Sequence, residues 1–366
     1  MIIPLPFAVP PILACGAWLK NTICVTHQQE AKLSAMNGNL DQAEARAALE
    51  QQATQMLDQA MPCLIAHDLH PDFYSTLYAQ NFARTHNIPL LAVQHHHAHI
   101  AAICAEHGVT NAILGLALDG VGLGHDNTAW GGELLQVDGA QCVRLGHLAP
   151  LMMPGGDRAA SEPWRMAAAA LHRMGRSPEI TSRYANQPAA PVVASMLQKN
   201  FNCPATSSMG RLFDAAAALL GINFVQQHEA EAAIQMQQLA AQYLRQNHCL
   251  PLANGYFITT DRQLDFLPLL EALATTQDAA RGAAVFHVTL AAGLTEWVAA
   301  AAAKTGIKQV ALGGGCFHNA LLKRELQSRL EAHGLTVFHP LNMAPDDSAI
   351  ALGQAWVAIM ALREGR

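Results

Sequence analysis

Four histidines fall within five residues in Gln94-His95-His96-His97-Ala98-His99, directly after the apolar run Leu90-Leu91-Ala92-Val93. On a helix, His95 and His99 are one turn apart and share a face, while His96 and His97 point elsewhere. Two imidazoles on one helix face are a standard way to hold a divalent metal, although such a pair also occurs as plain structure. A metal needs further ligands. Asp119 ends an apolar run in Leu118-Asp119-Gly120-Val121-Gly122-Leu123-Gly124. It could ligate the ion while Gly120, Gly122 and Gly124 let backbone N–H groups approach a phosphate. The same spacing fits a simple turn. Leu312-Gly313-Gly314-Gly315-Cys316-Phe317-His318-Asn319 reads as a strand, a glycine turn and a helix start, a place where phosphate binds through free N–H groups. Asn319 there could cap the helix or bond a ribose or phosphate. In Pro345-Asp346-Asp347-Ser348, two acids open a helix, where they would be favourable as caps in any case. Beside His95 and His99, Asp347 becomes a candidate oxygen ligand.

These groups need elements to carry them. Short strands are expected at 12–18 and 21–26, a helix at 41–59, strands at 63–66 and 90–93, and a helix at 74–86. The pattern then restarts with strands at 112–118, 128–137 and 141–148. Residues from about 155 to 260 read as mostly helical, with helices at 163–174, 211–220 and 229–245. A long buried helix at 279–304 precedes a strand at 309–312, a helix at 319–333, a strand at 336–339 and a helix at 347–361. A strand pair followed by βαβ, occurring twice, predicts an α/β protein of two related lobes, 1–111 and 112–366. That is the layout of the actin-like (ASKHA) ATPase fold, with a nucleotide cleft between lobes and, here, a helical insertion. The start, MIIPLPFAVPPILACG, reads as a proline-rich extended linker over residues 1–11.

Composition narrows the function classes. The 366 residues are 51% hydrophobic and 14% charged, which excludes a disordered or collagenous chain. Lys plus Arg is 22 and Asp plus Glu is 28, so the net charge is 22 − 28 = −6, against a duplex nucleic-acid binder. The eight cysteines form no CxxC pair, which points to free thiols in a reducing compartment. No uninterrupted apolar run approaches about 20 residues, and the start lacks a basic leader. The expected place is the cytoplasm, without a membrane or nucleic-acid partner.

Eight segments occur in an order that is itself informative: ILACGAWLKNTIC (12–24), HDLHPDFYST (67–76), QHHHAHIA (94–101), ALDGVGLGHDNTAWGGE (117–133), MPGGDRAASEPWR (153–165), SSMGRLFD (207–214), GGGCFHN (313–319) and DSAIALGQ (347–354). Over nearly the whole chain this resembles the C-terminal carbamoyltransferase module of the HypF hydrogenase maturation family. That module is related to the TsaD tRNA threonylcarbamoyl transferases and to antibiotic O-carbamoyltransferases.

The resemblance implies a metal, zinc or iron, held by His95, His99, Asp119 and Asp347. It implies an adenine nucleotide (carbamoyl-adenylate, ATP or AMP, with magnesium a further candidate) contacted by Gly120, Gly122, Gly124, Gly314, Gly315 and Asn319. Glu229 matches an acid near the ribose, and Lys20 and Arg211 match basic positions facing the adenylate or the carbamoyl group. It further implies transfer of the carbamoyl group from carbamoyl-adenylate to the C-terminal cysteine of HypE, on the way to the cyanide ligand of [NiFe]-hydrogenase. The adenylate would come from a TsaC/YrdC-like domain, which the family carries upstream; its absence marks the chain as an excised module or a shortened relative.

The family usually has an acid where Trp18 stands, Gly-Gln at Ala230-Glu231 and Asn-Asp-Gly-Gly at 346–349. The alternatives are a tRNA or small-molecule hydroxyl acceptor, or a non-enzymatic nucleotide-binding module. The acidic charge disfavours tRNA, and the tRNA enzymes carry HxExH where His97 stands.

Overall fold

A computed structural model describes residues 1–57 and 60–365. The first sheet holds β1 (Ile2–Ala14), β2 (Cys24–Leu33), β3 (Leu64–Asp68) and β4 (Leu90–Val93), in the order β2-β1-β3-β4. β1 and β2 are antiparallel, while β3 and β4 add in parallel on the other side of β1. Between them run α1 (Ala43–Met56) and α2 (Tyr74–His86), and α3 (His95–His107) follows β4. The helix expected over 41–59 ends at Met56, and residues 58 and 59 lie outside the described residues.

The proline-rich start is a strand rather than a linker. Ile2, Ile3 and Pro4 pair with Lys32, Ala31 and Glu30 of β2. Met1 and Leu33 exchange both backbone hydrogen bonds, so alternate residues turn away from β2 and Pro4 presents its missing N–H to the other side. There β3 joins only at Ile12–Ala14, so no ladder bond is lost. Ile3, Leu5 and Val9 alternate with the exposed Pro4, Pro6 and Pro10 and are buried. That period of two is a strand signal the prolines obscure.

The second sheet repeats the plan. β5 (Ile113–Leu123), β6 (Ala129–Asp138) and β7 (Gln141–Leu148) are antiparallel neighbours. The short β8 (Leu151–Met152) and β9 (Ala205–Thr206) pair beside β6, and β10 (Phe257–Ile258) and β11 (Gln263–Asp265) extend the β7 edge. β12 (Gln309–Gly313) and β13 (Thr336–Phe338) add in parallel on the far side of β5. The helices of this half are α4 (Arg158–Ser161), α5 (Pro163–Arg173), α6 (Glu179–Arg183), α7 (Ala190–Lys199), α8 (Met209–Leu219), α9 (Glu231–Leu244), α10 (Leu267–Leu273), α11 (Ala279–Thr305), α12 (Ala320–Ala332) and α13 (Ile350–Arg363). Two sheets, each an antiparallel set joined to two parallel strands, make the actin-like α/β architecture expected from the sequence. α11 is long and apolar enough to cross a bilayer by length and composition, but 72% of its apolar window is buried inside the fold.

Each half lends its last helix to the other. α3 follows β4 yet packs on β5, β6 and β12, while α13 follows β13 yet packs on β1, β2 and β3. The two helices cross in contact with each other. Glycines let α3 seat closely: Gly353 of α13 at the crossing, and Gly115 of β5 and Gly313 of β12 on the sheet. A Cβ at Gly353 would come within 1.8 Å of the Ala98 carbonyl oxygen, and one at Gly115 within 2.5 Å of Ile100. At Gly313 it would lie 3.2 Å from the His99 carbonyl. Gln354, beside Gly353, fixes α13 to the turn after β1: its amide donates to the Gly16 carbonyl and accepts the Gly16 N–H.

Gly353→Ala must therefore push apart α3 and α13, whose neighbours are already close-packed. We expect it to lower stability by about 3 kcal/mol or more, the upper end of overpacking costs. Urea denaturation checks this, and a loss within about 0.5 kcal/mol would contradict the packing described.

Candidate metal and nucleotide site

The strand-to-helix turn at Gln94 aims the histidines. The Gln94 side-chain oxygen caps α3 by accepting the His97 N–H, and its amide nitrogen contacts His96 Nδ1 and donates to the Leu123 carbonyl. Every residue of α3 through Ala105 is buried, so the histidines turn inward. The Nε2 atoms of His95, His96, His97 and His99 have no hydrogen-bond partner among the described residues.

His95 and His99 point at two carboxylates. His95 Nε2 lies 3.3 Å from Asp119 Oδ2 and 3.5 Å from Asp347 Oδ1, and the corresponding His99 distances are 3.4 and 3.7 Å. One ligand atom from each of the four residues lies within 4.8 Å of the others. An ion with ligand bonds of about 2.0–2.2 Å in tetrahedral array needs ligand atoms about 3.3–3.6 Å apart. Two unpartnered imidazole nitrogens and two carboxylate oxygens at this spacing fit such an ion. His96 and His97 stay outside the group. Burial and the neighbouring His95 hold the His96 imidazole well below its usual range, and burial with His125 brings His97 to about 4, so both are neutral.

Asp68, which the sequence reading did not name as a site residue, touches the cluster. It ends β3, beside β4, and its Oδ2 bonds His95 Nδ1 at 2.8 Å, while its Oδ1 accepts the His70 N–H. This fixes the tautomer that carries its proton on Nδ1 and turns the Nε2 lone pair toward the carboxylates. The available signal was an acid in His67-Asp68-Leu69-His70 at a strand end. Asp119 is held differently. β5 continues past Leu118, where the sequence reading ends the strand, and its pairing with β6 breaks register between Leu118 and Gly122. The irregularity holds Asp119, whose Oδ1 accepts the Gly315 N–H.

Electrostatics tie the cluster together. Burial disfavours the His95 cation, but Asp347, Asp119 and Asp68 outweigh it and raise its pKa well above the usual value. Burial likewise opposes the Asp119 carboxylate, yet His95 and His99 bring it well below the carboxylate range.

A cavity of about 350 Å³ opens from this cluster, lined by Asp119, Gly120, Lys20, Arg211, Glu229, Gly315, His318 and Asn319 among others. Most of the sequence candidates thus converge. Gly122, Gly124 and Gly314 do not line it. A Cβ at Gly122 would meet the His96 ring at 2.7 Å, one at Gly124 would meet Trp130 at 2.1 Å, and one at Gly314 would meet the Leu118 carbonyl at 2.3 Å. Their smallness serves packing: Gly122 against α3, Gly124 against Trp130 of β6, and Gly314 against the Leu118 backbone of β5. Around Gly120, by contrast, nothing lies within 4 Å of a Cβ.

Asn319 faces the cavity with its side chain already engaged. Its oxygen caps α12 by accepting the Leu322 N–H, and its amide lies 2.9 Å from His287 Nε2. Burial brings His287 to about 4, leaving it neutral and able to accept. Glu229 precedes α9 rather than lying within it, because Ala230 takes the left-handed conformation, φ 59°. Lys20 is left-handed too, φ 45°, and its Nζ stands 3.2 Å from Glu229 and 3.6 Å from Asp346. Asp346 also binds His318 at 2.9 Å and caps Ser348. Burial lowers the Lys20 pKa, but Glu229 and Asp346 bring it above its usual value. Arg211 bonds Asp214 at 2.6 Å. Burial nonetheless pushes Asp214 up to about 6. Burial, with Asp119 nearby, holds the Cys316 thiol in the same cavity well above its usual range.

Known proteins bear on this geometry. Residues 8–106 match a family model described as the HypF Kae1-like domain, and residues 115–354 one described as a carbamoyltransferase, Kae1-like domain, second subdomain. A carbamoyltransferase HypF homolog of Cupriavidus necator is 51% identical over 359 residues, covering 95% of this chain and 91% of that protein. Carbamoyltransferase HypF2 of the same organism is 49% identical over 96% of this chain, but that alignment spans 46% of HypF2, so the chain is about half its length. A crystal structure of full-length HypF in a phosphate- and nucleotide-bound form superposes with a TM-score of 0.90 at 29% identity, covering 99% of this chain and 48% of that one. A structure of T. kodakarensis HypF gives 0.89 at 28%, covering 100% and 49%.

The two shifted groups set a pH dependence for the metal-free chain. His95, raised in the fold, contributes fully below its ordinary 6.5 and loses the contribution as pH rises through the raised value. Asp119, lowered in the fold, contributes above its ordinary 3.8 and loses it as pH falls through the lowered value. The cluster should therefore stabilise the metal-free chain most between about pH 4 and 6.5. Denaturation of metal-free wild type and His95→Ala across this range and up to pH 9 checks it. A stability gap between them that widens toward pH 9 would contradict it.

Proposed function

The chain belongs to the HypF carbamoyltransferase family, and on that premise we propose that its cavity takes carbamoyl-adenylate and transfers the carbamoyl group to the C-terminal cysteine of HypE. The thiocarbamate so formed leads to the cyanide ligand of [NiFe]-hydrogenase. The observation that carries this reading is the meeting, at Asp119 and Gly315, of a four-ligand cluster with a cavity large enough for a nucleotide. The nucleotide-bound HypF relative supports the same use of the cleft.

His95, His99, Asp119 and Asp347 would hold a zinc or iron ion, which would supply Lewis acidity when bound. The open approach at Gly120 admits phosphate oxygens close to the backbone, while the Gly315 N–H is held by Asp119. Lys20 and Arg211 offset the anionic charge, and Glu229, once Lys20 turns to phosphate, is placed to accept from ribose hydroxyls. The acceptor cysteine, deprotonated to its thiolate, attacks the carbamoyl carbon, the bond from that carbon to the phosphate oxygen breaks, and AMP leaves with the electron pair. The nucleophile comes from HypE. Cys316, held as a neutral thiol by burial, does not compete with it. Adenylate supply falls to a TsaC/YrdC-like domain, and the setting is cytoplasmic. In chain order the lobes divide at residue 111, with α13 returning to the first sheet.

The test is mass spectrometry of HypE incubated with the chain and carbamoyl-adenylate. Carbamoylation should appear and vanish when the HypE acceptor cysteine is replaced. Carbamoyl phosphate and ATP with this chain alone should give none, and efficient product there would overturn the division of labour. His99→Ala should lose most bound metal by elemental analysis and at least a hundredfold in transfer rate. Full occupancy in that variant would sink the ligand assignment.

A further inference from the structure

His95, His99 and Glu106 lie on one face of α3, at i, i+4 and i+11. The first two are ligand candidates at the start of the helix. Glu106 stands near its end, about 10 Å along the axis from His99 at 1.5 Å per residue. Its carboxylate makes no ion pair among the described residues and gathers three consecutive backbone donors. Oε2 accepts the Leu341 N–H at 2.9 Å, and Oε1 accepts those of Asn342 and Met343 at 2.7 and 3.1 Å. His107 adds a contact from its Nε2 to the His339 carbonyl at 2.9 Å.

This stretch leads directly to the ligand candidate Asp347. Asp347 is four positions beyond Met343, a span of about 13 Å when extended. The chain returns along α3, and Pro340, Met343, Ala344 and Pro345 pack on His99, Ala102 and Ile103 without a water-sized void. Pro340 and Pro345 restrict the backbone at both ends. Thus α3 carries two ligand candidates itself and grips, at its other end, the segment that delivers a third.

We propose that Glu106 is a positioning residue of the metal centre, its carboxylate clamping the 341–343 backbone so that Asp347 is held opposite His95 and His99. This rests on the metal reading above. Three converging N–H groups call for a carboxylate, since an amide offers one acceptor oxygen and turns N–H donors toward N–H donors.

The experiment is calorimetric titration of zinc into the metal-free full chain, as wild type, Glu106→Gln, Glu106→Asp and Leu49→Ala. Leu49→Ala is a destabilised control whose site is buried in α1, away from α3. Melting curves of the metal-free proteins accompany the titrations. Glu106→Gln should weaken zinc about tenfold or more, and Glu106→Asp should recover some of that loss. Leu49→Ala should lower the melting temperature at least as much with zinc affinity unchanged. Hydrogen exchange at Leu341, Asn342 and Met343 should quicken in Glu106→Gln only. Wild-type affinity in Glu106→Gln, or equal weakening in Leu49→Ala, overturns the clamp and leaves the metal site standing. A wild type that binds no zinc or ferrous ion overturns the metal reading and the clamp with it.

Discussion

The approach of Gly353 to the Ala98 carbonyl is the contact on which the rest of the molecule depends. It lets α3 and α13 cross at backbone distance, and those helices are the ones exchanged between the halves. The ligand candidates sit where this exchange converges: His95 and His99 at the start of α3, Asp347 just before α13, and Asp119 on β5, against which α3 lies. Packing and chemistry are thus coupled. Whatever separates the helices also separates the ligands. The glycines at 115, 313 and 353 serve helix seating rather than any ligand.

Within that frame the cluster is a problem in buried charge. Two carboxylates out of water repel each other and are poorly solvated. The metal-free chain answers with a proton, since His95 is held cationic between Asp68, Asp119 and Asp347. A divalent ion would answer more fully, filling four ligand atoms of which two are otherwise unpartnered. Asp68 works in both states, because it holds the Nδ1 proton and so decides which way the Nε2 lone pair faces.

The cleft carries its own opposition of charge. Lys20 comes from the first half of the chain, Glu229 from the insertion and Asp346 from the closing segment, and one ammonium touches both acids. Both Lys20 and Ala230 are left-handed, a conformation costing a non-glycine residue about 1–2 kcal/mol. The chain accepts strain where Glu229 is presented, whereas Ser348-Ala349 shows none: Asp346 caps Ser348 in a right-handed turn.

The sequence by itself determined most element types and the two-lobed plan, because these depend on local periodicity; it nominated His95 and His99 by their spacing, and Asp119 and Asp347 by their places at a strand end and a helix start and by family resemblance. α2 and β4 matched at both ends for the same reason. It failed where a residue's meaning is set from afar. The prolines of β1 read as a linker because only β2 shows that Pro4 turns its missing N–H to an unpaired side. Gly122, Gly124 and Gly314 read as phosphate-approach positions because only the fold shows His96, Trp130 and Leu118 against them. Asn319 left cap and ligand open until His287 took its amide. Asp68 and Glu106 act across 27 and more than 230 residues of sequence, respectively. No local pattern encodes such contacts, since they arise only when packing brings two backbones together, and packing alone decided them.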